Sequence, residues 1–319
     1  MRRQLKFKVL DAVGASNTFP KVLADIAEVT IKRIRGIEFE NEVKSGKYDA
    51  VIISTWHKMQ RDIIMNSNLK VIGTASVGFD HIDTKAAQEK GVKVVTAAGA
   101  SSYSVAEHTI GLMICIARRI YENLLFVKDG AWSSFLTIGT ELYGKTLGII
   151  GMGRIGTHVA NIARALGMKI LIYDPYVSIE NIEKVGAEKV NLEYLLRNSD
   201  FISIHAPLTS ETRKMIGRHE IENIKDKAYI INTARGEIVD EHAILDALRN
   251  GKISGYAADV LTTEPPTDET SPLLKAYKSG EKLNLIITSH IAGVTLEALN
   301  RYALYILENV KKALTEVQP

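Results

Sequence analysis

The chain has 319 residues, 46% hydrophobic and 24% charged. That balance excludes a disordered polypeptide and gives room for about two domains. Forty Lys and Arg against 37 Asp and Glu leave +3, so nothing in the charge supports a nucleic-acid partner. A single cysteine, Cys115, excludes an internal disulfide and any multi-thiolate metal or iron–sulfur site, and points to a reducing, cytoplasmic setting.

The basic start MRRQLKFKVLDAVGAS reads as a strand with a charged lead-in rather than a secretory signal, because Lys8 and Asp11 break its apolar stretch. Short apolar runs predict strands at Phe7–Val13, Ala50–Ser54, Lys70–Gly73, Val92–Thr96, Thr146–Ile150, Lys169–Tyr173, Phe201–His205, Ala228–Asn232, Ser254–Val260 and Leu285–Thr288. Helical patterns separate them, as in βαβ units with parallel sheets. A capping box at Ser104-Val105-Ala106-Glu107 predicts a helix opening at Ser104 and running to about Ile120, with Arg118 and Arg119 in its last turn. Its apolar stretch, Ile110–Ala117, is far too short to span a membrane and places Cys115 in the core. A C-terminal helix is predicted with Leu299, Ala303, Ile306, Val310 and Leu314 on one face. Thr262–Ser271 is the one loop rich in turn residues. Asp80-His81-Ile82-Asp83 reads as a loop or helix cap, and no metal site is expected, since no second His/Cys cluster completes a ligand set.

Gly151-Met152-Gly153-Arg154-Ile155-Gly156 is a weak motif alone, but its context is the one that dinucleotide binding requires. A strand precedes it, a helix of about Arg154–Leu166 follows, and the next strand ends in Asp174. Gly151 would permit the turn, Gly153 the approach of a pyrophosphate, and Gly156 close helix–strand packing, with the amides at Arg154 and Ile155 opening the helix toward phosphate. Asp174 would bind both ribose hydroxyls and repel a 2′-phosphate, so NAD is expected over NADP.

Hydride transfer to a carbonyl or from an alcohol needs an acid/base, and an anionic substrate also needs a cation. Arg235, Glu264 and His290 each follow a predicted strand, and strand C-terminal ends share one edge of a parallel sheet.

On these residues the sequence resembles the D-isomer-specific 2-hydroxyacid dehydrogenases. The matching stretches are TASVGFDHID (74–83), GKTLGIIGMGRIG (144–156), HAPLTSET (205–212), INTARGEIVDEHAIL (231–245), DVLTTEPP (259–266) and HIAG (290–293). The resemblance implies His290 as acid/base, Glu264 as the carboxylate that orients it, and Arg235 as the binder of the substrate carboxylate and carbonyl. Val77 and Gly78 would hold the carboxylate through backbone amides, with Ser54 beside them. Asp259 would meet the nicotinamide carboxamide. His205, Pro207, Thr212, Thr233, Ala234 and Gly293 would complete the cofactor pocket. The implied fold is α/β with two doubly wound parallel sheets: a Rossmann domain (104–291) inserted in a flavodoxin-like substrate domain (1–103), to which a C-terminal helix (292–319) returns. The family is usually dimeric, and the long helix plus an arm over 121–143, with Trp132 and Phe135, would supply the contact.

This chain has Ser289 where the family usually has Pro. Val77 stands where phosphite-type members place Lys, and Glu264 where formate-type members place Gln. Phosphoglycerate members usually carry an Arg near Ser54, although YDP (173–175) resembles theirs. His57 or Lys58 could substitute for that Arg, and with Trp56 these residues could line the substrate pocket. The expected substrate is therefore a small 2-keto or 2-hydroxy acid, glyoxylate or hydroxypyruvate ahead of phosphoglycerate, with a non-catalytic NAD-responsive scaffold as a further alternative.

Overall fold

The computed structural model describes residues 7–133 and 137–317. The expected lead-in before Phe7 and the expected arm residue Phe135 lie outside the described residues. Two units partition the chain, residues 1–101 with 294–319, and residues 102–293. The borders thus fall at Ser101/Ser102 and Gly293/Val294, two residues from those expected.

In the first unit, β1 (Phe7–Asp11), β2 (Ala27–Ile31), β3 (Ala50–Ile53), β4 (Val71–Thr74) and β5 (Lys93–Thr96) form a parallel sheet ordered 2-1-3-4-5. That is the flavodoxin-like order. β3 and β4 are buried along their whole length, as strands covered on both faces must be. The helix Leu296–Glu316 returns to this sheet and contributes Ile306, Leu307, Val310 and Leu314 to a core with Phe7, Val9, Ile52 and Val71.

In the second unit, β6 (Thr146–Ile150), β7 (Lys169–Tyr173), β8 (Glu188–Lys189), β9 (Phe201–Ile204), β10 (Ala228–Asn232), β11 (Ile253–Ala258) and β12 (Leu285–Ile287) form a parallel sheet ordered 12-11-10-9-6-7-8. Counted from β6 this is the Rossmann order 3-2-1-4-5-6 with one strand added. Its switch point lies between β6 and β9, where ligands bind beyond the strand ends.

Several sequence expectations need correction. β2 has no apolar run because it is an edge strand of the first sheet, half-exposed over most of its length, and β8 is two charged residues at an edge of the second sheet. β1 stops at Asp11 because the Asp11 carboxylate accepts from the amides of Val13, Gly14 and Ser16 and turns the chain away. The long helix spans Ser102–Ala117, so Ser104 is inside it and is not a cap. A turn closed by the Ala100 amide on the Ala97 carbonyl delivers the chain into the helix two residues early. Arg119 takes a left-handed φ of 52° and becomes the N-cap of a separate helix, Ile120–Lys128. The two arginines therefore lie beyond the first helix. Cys115 is half-buried rather than in the core. In the C-terminal helix Leu299 is 52% exposed, and Ala298 faces inward instead, because the Thr295 cap on the Ala298 amide sets the phase.

No helix among the described residues is long and apolar enough to cross a membrane.

Candidate active site

The turn after β6 is shaped by close backbone approach. Gly151 has φ 93°, and a Cβ there would lie 2.7 Å from the Ala206 nitrogen at the end of β9. Only glycine fits. Gly153 faces open space and is the N-cap of the helix Arg154–Ala165, so backbone amides are presented where a pyrophosphate binds. Asp174, just past β7, accepts from the Met152 amide at 2.8 Å and from the Tyr176 amide at 2.9 Å. These bonds fix its carboxylate beside the turn.

Across the switch point, His205 Nε2 lies 2.8 Å from Ser203 Oγ. Its Nδ1 is buried with no partner among the described residues. Burial lowers its pKa to about 3, so the ring is neutral. The Thr212 hydroxyl donates to the Pro207 carbonyl at 2.6 Å and shapes the same loop. Thr233 Oγ1 meets Thr109 Oγ1 at 2.9 Å, and the Ala234 amide donates to Asn232 Oδ1 at 3.0 Å. An anion-ready helix start, a placed carboxylate and an unsatisfied buried ring nitrogen fit a dinucleotide.

One strand further along, three loops converge. Asn232, fully buried at the end of β10, also donates to the Arg235 carbonyl at 3.0 Å, holding the turn that presents Arg235. Gly236 follows because a Cβ there would lie 2.0 Å from the Leu261 carbonyl carbon. This contact brings the Arg235 loop against the Glu264 loop. The Leu261 amide donates to Glu264 Oε1 at 3.1 Å, and Glu264 Oε2 sits 2.5 Å from His290 Nδ1.

His290 has a left-handed φ of 56°, unusual outside glycine and typical of functional sites. Asp259 enforces it. The His290 amide donates to the Asp259 carbonyl at 2.8 Å. The Asp259 carboxylate accepts from the Ile291 and Ala292 amides and from the Thr288 hydroxyl. Thr288 in turn lies 3.2 Å from His108 Nε2. Gly293 ends the turn.

The electrostatics follow from this geometry. The Glu264 hydrogen bond, helped by the charges of Glu264 and Asp259, raises the His290 pKa above its usual value, against burial and the nearby Arg235 charge. Burial pushes Glu264 up, but His290, the Leu261 amide and Arg235 together bring it below the ordinary carboxylate value. With Nδ1 on Glu264, Nε2 is the nitrogen free to face a substrate. Asn232, Gly236 and Thr288 escaped the sequence reading. A polar residue closing an apolar strand, as in AYIIN, is the signal that could have found Asn232.

Ser54, Val77 and Gly78 lie in the other unit, just beyond β3 and β4. Val77 is exposed, and the Ser76 hydroxyl donates to the Gly78 carbonyl at 2.7 Å. His57, a candidate to stand in for the missing phosphate-binding Arg, does not present its ring to solvent. It is buried against Phe39, with its nitrogens near the Ser54 amide and the Ile34 carbonyl, and burial lowers its pKa. Trp56 is exposed, with the Arg35 guanidinium 5.2 Å from its ring centroid. Asp83 caps the helix Thr84–Lys90 through the Ala86 amide.

The glycine turn lies at the switch point, and the imidazole–carboxylate pair lies beyond the ends of β11 and β12 of the same sheet. Residues 110–292 match the family model described as "D-isomer specific 2-hydroxyacid dehydrogenase, NAD binding domain", and the chain belongs to that family. It is 43% identical over 92% of its length to a D-3-phosphoglycerate dehydrogenase of Methanocaldococcus jannaschii, of which it covers 55%. It is 42% identical over 83% of its length to a hydroxypyruvate reductase of Thermotoga maritima, of which it covers 85%. The chain spans about half the length of the phosphoglycerate dehydrogenases it matches. A solved glyoxylate reductase from Paecilomyes thermophila superposes with a TM-score of 0.84 at 31% identity, covering 97% of this chain and 95% of that one.

Proposed function

We propose that the chain is an NAD-dependent D-2-hydroxyacid dehydrogenase whose substrate is a small 2-keto or 2-hydroxy acid, glyoxylate or hydroxypyruvate. The observation that carries this is the His290–Glu264 pair at 2.5 Å, with Arg235 near enough for its charge to act on both. When bound, the nicotinamide supplies or accepts hydride at the substrate's C2. Arg235 binds the substrate carboxylate and polarises the C2 oxygen. His290 Nε2 gives a proton to that oxygen in reduction and takes it back in oxidation. Glu264 holds the ring and favours its imidazolium.

Gly151, Gly153, Arg154, Ile155, Gly156 and Asp174 hold the pyrophosphate and adenosine side of the cofactor. His205, Pro207, Thr212, Thr233, Ala234, Asp259 and Gly293 line the remainder. Ser54, Val77 and Gly78 are substrate contacts. The neutral His57 removes one candidate phosphate ligand and so favours an unphosphorylated acid. The second reading, a phosphoglycerate dehydrogenase, draws on the identity to those enzymes and on Arg35 beside Trp56.

The helix Ile120–Lys128 buries none of its residues, and Leu124 and Trp132 are 61% and 89% exposed. We assign this apolar surface to a homodimer contact. The single, half-buried cysteine fits a cytoplasmic location.

The test is NADH consumption with equal concentrations of glyoxylate, hydroxypyruvate, pyruvate and phosphohydroxypyruvate. Rapid turnover of the first two is the expected result. Preference for the phosphorylated acid would favour the second reading. No turnover of any, with NADH bound, would revive the non-catalytic scaffold.

A further inference from the structure

Both partners of the acid/base pair rest on loops, and each loop is tied to a buried carboxylate. For His290 that carboxylate is Asp259. For Glu264 it is Glu241, to which neither the family resemblance nor the reaction assigns a role.

Glu241 is the first residue of the helix Glu241–Arg249 and only 5% exposed. A buried carboxylate is costly unless every oxygen finds a donor, and here each does. Oε1 accepts from the Thr262 amide at 2.8 Å. Oε2 accepts from the Ser271 hydroxyl at 2.5 Å. The helix N-terminus also favours negative charge at this position. Thr262 and Ser271 are the two ends of the loop that carries Glu264. Ser271 is fully buried and also caps the helix Pro272–Lys278 through the Leu274 amide. One carboxylate thus joins both feet of a ten-residue loop whose tip carries only exposed side-chain bonds, between Thr267 and Thr270 and from Lys278 Nζ to Asp268 Oδ1 at 2.7 Å.

We propose that Glu241 is a positioning residue: by pinning Thr262 and Ser271 it fixes the loop so that the Glu264 carboxylate meets His290 Nδ1. Glu241 touches neither substrate nor cofactor and acts through Glu264. The Leu261–Gly236 contact seats one foot of the loop, and Glu241 prevents the other from drifting. Releasing it lets Glu264 sample positions away from the ring, so that His290 titrates nearer its usual value.

This inference rests on the proposed roles of His290 and Glu264, and the test separates the two. The imidazole titration of His290 is followed by NMR in the whole protein, assigned with His290→Gln, for the wild type, Glu241→Ala and Glu241→Gln. The pH profile of kcat/KM for keto-acid reduction is measured in parallel. Glu241→Ala is expected to lower the His290 pKa and to cut kcat/KM at slightly alkaline pH by about tenfold, with NADH affinity unchanged. Glu241→Gln still offers an oxygen to Thr262 and a polar group to Ser271, and restores most of both. A His290 titration equal to wild type in a folded Glu241→Ala variant overturns the proposal. If that variant does not fold, Ser271→Ala removes one of the two bonds, and an unmoved titration there overturns it equally. A wild-type His290 that titrates at its ordinary value and supports no turnover would instead refute the acid/base reading itself.

Discussion

At Gly151 one added carbon would strike the neighbouring strand end 2.7 Å away, whereas at His290 the site depends on a ring that reaches Glu264 at 2.5 Å. The first region works by what is missing. On the proposed reading backbone amides do its work: Gly151 leaves room for the strand end, and Gly153 keeps open space where a phosphate would approach. The second works by what is present, three side chains from three loops. The nucleotide turn is therefore expected to fail by addition and the acid/base pair by subtraction, and their failures should look different. Additions damage cofactor affinity and stability together, while subtractions damage turnover in an otherwise intact protein.

Removal of the ring gives the largest effect. His290→Ala is expected to lower kcat by about 10²–10⁴-fold, the usual worth of a general acid/base, with NADH affinity by fluorescence titration unchanged. Retained kcat on the best substrate would remove His290 from the chemistry. Gly151→Ala comes next. The methyl group meets backbone at a left-handed φ, so about 1–3 kcal/mol of stability should be lost in urea unfolding. NADH binding should weaken with it, and a variant as stable and as tight as the wild type would deny the close approach.

Glu264→Gln sharpens the contrast through pH. Reduction needs protonated His290, so its rate is present below the His290 pKa and lost as pH rises through it. Glu264 raises that pKa. Its neutral substitute should move the loss to lower pH, and superimposable kcat/KM profiles would count against the pairing. Asp174→Ala has the smallest expected effect, about a tenfold loss of NAD affinity, from hydrogen bonds to a charged acceptor. Its NAD/NADP ratio should narrow, and an unchanged ratio would separate Asp174 from the ribose.

The same asymmetry governs what could be read from the sequence. Gly151, Gly153 and Asp174 stand within one βαβ unit, so strand, turn, helix and strand announce them in chain order. The buried runs of β3, β9 and β10 were equally plain, since strands covered on both faces are apolar throughout. Arg235, Glu264 and His290 could be named from strand ends and family resemblance. The supports that join them, Asn232, Gly236 and Thr288, become visible only when three loops meet. The edge strands β2 and β8 escaped because half-exposed strands carry no apolar run. The start of the helix at Ser102 was missed because a local capping pattern at Ser104 was overridden by the turn before it. His57 could be offered as a phosphate contact beside Lys58 because its burial cannot be read from a residue that follows a strand.

The return of the helix Leu296–Glu316 to the first sheet has a consequence for biosynthesis. Residues 102–293 form a continuous stretch and can fold as soon as they leave the ribosome. The unit begun first cannot close its core until Ile306, Leu307, Val310 and Leu314 have been made. At usual synthesis rates the 192 residues from 102 to 293 take about 10–40 s. During that interval one face of the nascent sheet stays uncovered, so the unit begun first is completed last. A released chain ending at residue 293 should therefore show a protease-resistant second unit and a sensitive first one.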